Sequence, residues 1–213
     1  MAPPRREAFE DVANDLIDRV RHRVAGFGLA VMAPYPAGAP RESALVICNF
    51  DDACRDGSGF EAVISIESPD STPTTGRLGR FRAVHEPIHK VLRFHDIESL
   101  RDPHPPLRHH VRAGLAFARR HAGRRLLIHC HAGVSRSTGL AYAILVHRAG
   151  PDCDEARVLE RILEIRPQAC PNRLVVRHAD ALLGRGGRML RAVEAHPVIQ
   201  ETRRRNFSPP PAA

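Results

Sequence analysis

Tryptophan is absent from the 213-residue chain, and aromatic residues make up only 5%. A packed core must therefore rest on Leu, Val, Ile and Ala, and apolar residues at 43% are enough to build one. No apolar run approaches the ~20 residues that a membrane span requires. The first apolar run, GFGLAVMAP, follows Glu7, Glu10, Asp11, Asp15 and Asp18, which does not read as a signal peptide. Cysteine is sparse and odd in number: Cys48, Cys54, Cys130, Cys153 and Cys170. There is no C-x-x-C pair, so neither a disulfide framework nor a zinc site is expected. A reducing cytoplasm suits such thiols. No internal repeat is present. The formal charge of +8 favours anionic partners: phosphate groups, nucleic acid or an acidic protein face. For nucleic acid the chain offers neither a binding motif nor an aromatic platform, only scattered Arg.

Four short apolar runs bounded by turn residues read as strands: ALVIC at 44–48, AVISI at 62–66, KVLRF at 90–94 and RLLIH at 125–129. The polar stretch NFDDACRDGSGF reads as a loop, as does SPDSTPTTGRLG at 68–79. Helical periodicity covers about 107–121, 139–149 and 154–165, and NRLVVRHADALLG after Pro171 is a further helix with a Gly stop. This is an α/β pattern: a central, mostly parallel sheet of about four to five strands flanked by helices.

At the N-terminus, Phe9, Val12, Ala13, Leu16, Ile17, Val20 and Val24 recur at helical spacing. Residues 1–33 thus read as an amphipathic helical extension suited to a protein contact, with Met32 as an alternative start. Residues 34–43 are a linker, 44–190 the main domain, and 191–213 a basic, Pro-rich tail, expected to be disordered from Pro197.

One segment carries chemistry. The strand RLLIH runs through CHAGVSR into the helix STGLAYAILV. A tight loop that leaves a buried strand and opens a helix turns successive backbone N–H groups inward, and the helix N-terminus adds partial positive charge. The result is an anion cradle. Cys130 stands at its entry as a candidate nucleophile, since a helix N-terminus and a nearby cation favour the thiolate. Arg136 offers a planar fork for two phosphoryl oxygens, a geometry that Lys lacks. Gly133 permits close approach of the backbone, and Ser137 can donate to the sulfur when it leaves. A buried Cys at a strand end is the plainer alternative, but it leaves Arg136 unexplained, because Arg is unfavourable in a first helical turn.

HCHAGVSRS resembles the signature H-C-x5-R-[ST] of the cysteine-dependent protein-tyrosine and dual-specificity phosphatases, and the chain is most similar to their compact dual-specificity and bacterial tyrosine-phosphatase members. The resemblance covers about residues 44–190. It implies phosphate contacts from His131, Ala132, Gly133, Val134, Ser135 and Arg136, an ordering role for His129, and a phosphocysteine intermediate formed without metal or organic cofactor. It also implies a general acid on a loop upstream. Asp96, directly after the strand KVLRF, is the first choice, Asp102 the second and Glu98 an outsider. RPQACPN at 166–172 is similar to a Pro-rich turn of the compact members, with Asn172 expected to cap the next helix. His104, His109 and His110 match no metal spacing and read as solvated. The implied substrate is a phosphorylated protein. A phosphoinositide or small phosphate is the alternative, disfavoured by His131, Ala132 and Val134 where lipid-directed relatives often carry Lys. A non-catalytic phosphate-binding adaptor is opposed by the intact Cys130, Arg136 and Ser137.

Overall fold

The apolar runs pair into a four-stranded, all-parallel sheet in the order β1-β4-β2-β3, formed by β1 (Leu45–Cys48), β2 (Ala62–Glu67), β3 (His89–Arg93) and β4 (Leu126–His129). The computed structural model describes residues 45–56, 60–70 and 88–207. The N-terminal extension and the linker expected at 1–43, and most of the loop at 68–79, lie outside the described residues. Every residue of β1, β2 and β4 is buried, which explains their unbroken apolar sequence: helices cover both faces of a parallel sheet. β3 has only Leu92 fully buried, as befits the edge of the order.

The register sets the site. Cys48 pairs with His129, His129 with Ser65, and Glu67 with Arg93. Because the strands are parallel, their carboxyl ends share one edge of the sheet, where ligands bind in open α/β folds. Asn49, Ser68, Phe94 and Cys130, distant in sequence, each begin the segment leaving that edge.

Helices α2 (Arg108–Arg120), α3 (Arg136–Ala149), α4 (Glu155–Ile165) and α5 (Arg173–Leu182) match the periodic segments. The α3 helix is buried along most of its length, through Leu140, Ala141, Tyr142, Ala143, Ile144 and Val146. Despite the scarcity of aromatics, Tyr142 and Phe94 are among the largest fully buried side chains. The Tyr142 hydroxyl donates to the Glu155 carbonyl at 2.9 Å, which satisfies its one buried polar group.

Two expectations are corrected. The stretch after β1, read as a loop, contains α1 (Phe50–Asp56). Asn49 Oδ1 accepts the Asp52 amide at 2.7 Å, Asp51 and Asp52 sit in the first turn, and Ala53 is buried. Two turns are too short to show a period. Residues 188–207, most of them assigned to an unstructured tail, form α6 (Arg188–Ala195) and α7 (Pro197–Phe207). The Asp180 carboxylate accepts the amides of Gly187 (2.6 Å) and Met189 (2.9 Å), and Met189, Val193 and Ile199 enter the core. Among the described side chains of α7 only Ile199 is buried, so its apolar signal is hidden among arginines that pair with Glu201 one turn away. The folded domain therefore extends past residue 190 to Phe207. Among the described residues no helix is long and apolar enough to cross a membrane.

Candidate active site

The carbonyl oxygens of 131–135 all point away from the loop centre into protein. His131 O accepts from Phe50 N (3.0 Å), Ala132 O from Arg166 Nη2 (3.3 Å) and Gly133 O from Arg166 Nε (3.1 Å). Val134 O accepts from Cys170 N (2.9 Å), and Ser135 O from Gly139 N (2.9 Å) and Asn172 N (3.2 Å). In a planar trans peptide the following N–H points opposite to the carbonyl. The amides of Ala132, Gly133, Val134, Ser135 and Arg136 are thereby turned toward the centre, at the start of α3. Inward-turned amides at a helix start have the geometry of an anion cradle.

Cys130 lies at the base of the cradle, 2% exposed. Its Sγ receives the Gly133 amide at 3.2 Å and sits 3.2 Å from Ser137 Oγ. The amide donates to sulfur, while in the second contact either the hydroxyl or the thiol can be the donor. Gly133 has φ of 69°, and a Cβ on it would lie 2.5 Å from the Cys48 carbonyl carbon and oxygen. Only glycine fits where the loop presses on the end of β1. Burial above all, then the nearby Asp52, pushes the Cys48 thiol up to about 12, and burial pushes Cys170 up to about 11. Those two thiols stay protonated near neutral pH and are poor nucleophiles.

Behind the loop, His129 Nδ1 lies 3.4 Å from the Cys130 carbonyl and Nε2 lies 2.6 Å from Ser65 Oγ. A carbonyl only accepts, so in the neutral ring Nδ1 donates and Nε2 takes the Ser65 hydroxyl proton. Ser65 Oγ in turn contacts His89 Nε2 at 2.7 Å. The sequence pointed to His129 but not to Ser65 or His89, whose roles depend on strand register.

Arg136 is 5% exposed. Its Nη1 donates to Phe94 O (3.0 Å) and Ser68 Oγ (3.2 Å), which fixes the guanidinium plane. Its Nε is buried without a hydrogen-bond partner, 3.9 Å from Asp96 Oδ2. An unsatisfied buried donor is costly. A phosphoryl oxygen seated in the cradle would satisfy it.

Of the three candidate acids, Asp96 meets the loop. Its Oδ1 accepts from Ser135 Oγ (2.6 Å) and from Asn172 Nδ2 (2.9 Å). Asn172 Nδ2 also donates to Ile97 O at 3.1 Å, while its Oδ1 caps α5 by accepting from Leu174 N (3.1 Å) and Val175 N (3.0 Å). Asn172 thus does more than the capping expected of it. Asp102 is exposed at the tip of the same loop. Glu98 is bound instead by the Arg173 amide and Arg203. His131 is exposed on the rim. Arg166, unremarked in the sequence, is buried and holds two loop carbonyls; only its place before a Pro-rich turn marked it.

The histidines at the start of α2 are not all solvated. His110 stacks on Phe94 with centroids 5.0 Å apart, and its Nδ1 accepts the Leu107 amide at 3.1 Å. Burial first, then His109 and His178, lowers its imidazole to about 4. Among the described residues no group of three or more His, Cys, Asp or Glu could hold a metal ion.

Structural neighbours of the chain are dual-specificity and protein-tyrosine phosphatases. The chain is similar to DUSP15 (25% identity, TM-score 0.46, 73% of this chain and 92% of that one). It is similar to the PTP-2 phosphatase of Cydia pomonella (18%, 0.49, 65% and 84%). It is also similar to the Yvh1 phosphatase domain of Chaetomium thermophilum (20%, 0.45, 68% and 93%). No family model matches the chain, and no curated protein matches it in sequence.

Proposed function

We propose that this chain is a cysteine-dependent phosphoric monoester hydrolase that removes phosphate from phosphotyrosine in proteins, with phosphoserine and phosphothreonine as further substrates to test. The observation that carries the proposal is the buried Nε of Arg136, held without a hydrogen-bond partner at the start of α3, beside inward-turned loop amides of which that of Gly133 donates to Cys130 Sγ.

In the first step the Cys130 thiolate attacks phosphorus in line. The P–S bond forms as the ester P–O bond breaks, and Asp96 protonates the departing oxygen. Asp96 Oδ1 already accepts two hydrogen bonds, so the transferable proton sits on Oδ2. The loop amides and Arg136 hold the equatorial oxygens and stabilise their charge. In the second step water attacks the phosphocysteine and gives its proton to Asp96 Oδ2. Sulfur leaves as thiolate, stabilised by Ser137 Oγ–H, and inorganic phosphate departs. His129 holds the Cys130 carbonyl and so orders the entry to the loop. Catalysis by a free thiol needs a reducing compartment, and a cytoplasmic location belongs to this proposal.

The test is hydrolysis of para-nitrophenyl phosphate by the wild type, Cys130→Ser and Asp96→Asn, followed by phosphopeptide and phosphoinositide panels. Cys130→Ser is expected to be inactive, and activity that survives it sinks the proposal. A preference for phosphoinositides over every phosphopeptide would replace the substrate assignment.

A further inference from the structure

The loop carrying Asp96 is held beyond Asp96 itself. The Glu98 carboxylate is bound on both oxygens: Oε1 accepts the Arg173 amide at 2.8 Å, at the N-terminus of α5, and Oε2 accepts from Arg203 Nη1 at 2.8 Å. Arg203 lies on α7, 105 residues further along, and is 19% exposed; its Nη2 also reaches the Pro171 carbonyl at 3.4 Å. The α7 helix is anchored by Ile199, which is fully buried, and by Gln200 Nε2 on Val193 O at 3.2 Å. Three successive residues of the loop are therefore fixed to one platform. Asp96 and Ile97 are held by Asn172, and Glu98 by Arg173 and Arg203. From Leu100 to His104 the loop is exposed, with Leu100 59% open to solvent.

We infer that Glu98 and Arg203 are positioning residues for the general acid, and that α7 is the element which keeps the acid loop seated over the phosphate loop. The inference rests on the proposed function, because it assumes that Asp96 delivers the proton. The physical argument is one of populations. A charge-assisted hydrogen bond made only when the loop is seated shifts the loop toward that state by its own free energy. Glu98 touches no reacting atom and acts through the backbone of the two residues before it.

A purely structural role for the pair would lower stability or all activity alike. A positioning role makes a sharper demand. A poor leaving group needs the acid, and a good one departs without it. Turnover is therefore to be measured for phenyl phosphate and for a fluorinated umbelliferyl phosphate, in the wild type, Asp96→Asn, Arg203→Met, Arg203→Lys and Glu98→Gln, each with its melting temperature. Arg203→Met and Glu98→Gln are expected to lower kcat/KM, which reports only the step that forms the phosphocysteine, about fivefold on phenyl phosphate, with less than about twofold change on the good leaving group, and Arg203→Lys to recover most of the loss. Asp96→Asn should show the same selectivity more strongly. Selective loss in Asp96→Asn with equal or no loss in both Arg203→Met and Glu98→Gln overturns the clamp alone. No selective loss in Asp96→Asn removes Asp96 as the acid and the clamp with it.

Discussion

Gly133→Ala is the most direct probe of the loop. Gly133 holds φ of 69°, where an L-residue with a side chain costs about 1–2 kcal/mol. The added methyl would lie 2.5 Å from the Cys48 carbonyl carbon and oxygen and 2.7 Å from the Asn49 amide nitrogen. These are backbone atoms of β1 and the turn after it, so no rotamer change relieves the clash. Overpacking of this kind costs about 1–3 kcal/mol. The combined loss of about 2–5 kcal/mol lowers the melting temperature by on the order of 10 °C at this chain size. The same displacement moves the amide that donates to Cys130 Sγ, and misplacing a catalytic group by about 1 Å can cost 100-fold in rate. Gly114→Ala is the matched control. Its Cβ would meet Leu140 Cδ1 at 2.8 Å and Cδ2 at 2.9 Å, the free end of a side chain that can turn. Thermal melting and para-nitrophenyl phosphate turnover on both variants decide the matter. A Gly133→Ala protein with wild-type melting and kcat would refute the loop geometry.

Ser137→Ala removes the hydroxyl 3.2 Å from Cys130 Sγ; on the proposed mechanism phosphocysteine hydrolysis should slow by about 10–100-fold, seen as a stopped-flow burst of nitrophenolate before slow steady turnover. Asn172→Ala removes the α5 cap and the support of Asp96 and Ile97; urea unfolding should show a loss of about 2–4 kcal/mol, with kcat falling most on poor leaving groups. His110 sets an acid limb of stability: its folded value is about 4 against 6.5 for the free imidazole, so the unfolded chain binds the proton first. Stability is whole above about pH 6.5 and declines as pH falls toward 4. Urea midpoints for the wild type and His110→Gln, which keeps an acceptor for Leu107 N, should converge across that window.

The strand–loop–helix at 125–149 was legible because it is local. A buried run, a glycine and a helix start within a short stretch define the cradle, and the residues between Cys130 and Arg136 cannot be spaced otherwise without unmaking it. The α5 cap at Asn172 and the stop of α4 before Pro167 were equally local. What holds the cradle open was not. Arg166, the Cys170 amide and Phe50 reach the loop carbonyls only after the helices pack on the sheet. Asp96 and Asp102 lie on one loop and differ little as sequence. Asp96 meets Ser135 because it follows β3 closely, and β3 is fixed by its pairing with β2, while Asn172 arrives from 76 residues away. The helix α7 stayed hidden for a related reason: one buried isoleucine among arginines carries little periodic signal, and its contact with Glu98 exists only in the folded chain. The sequence alone determined the setting of Cys130, because hydrogen bonding in a tight turn depends on neighbours in the chain. The tertiary structure decided which carboxylate meets the loop, because parallel strands join residues that the chain keeps far apart.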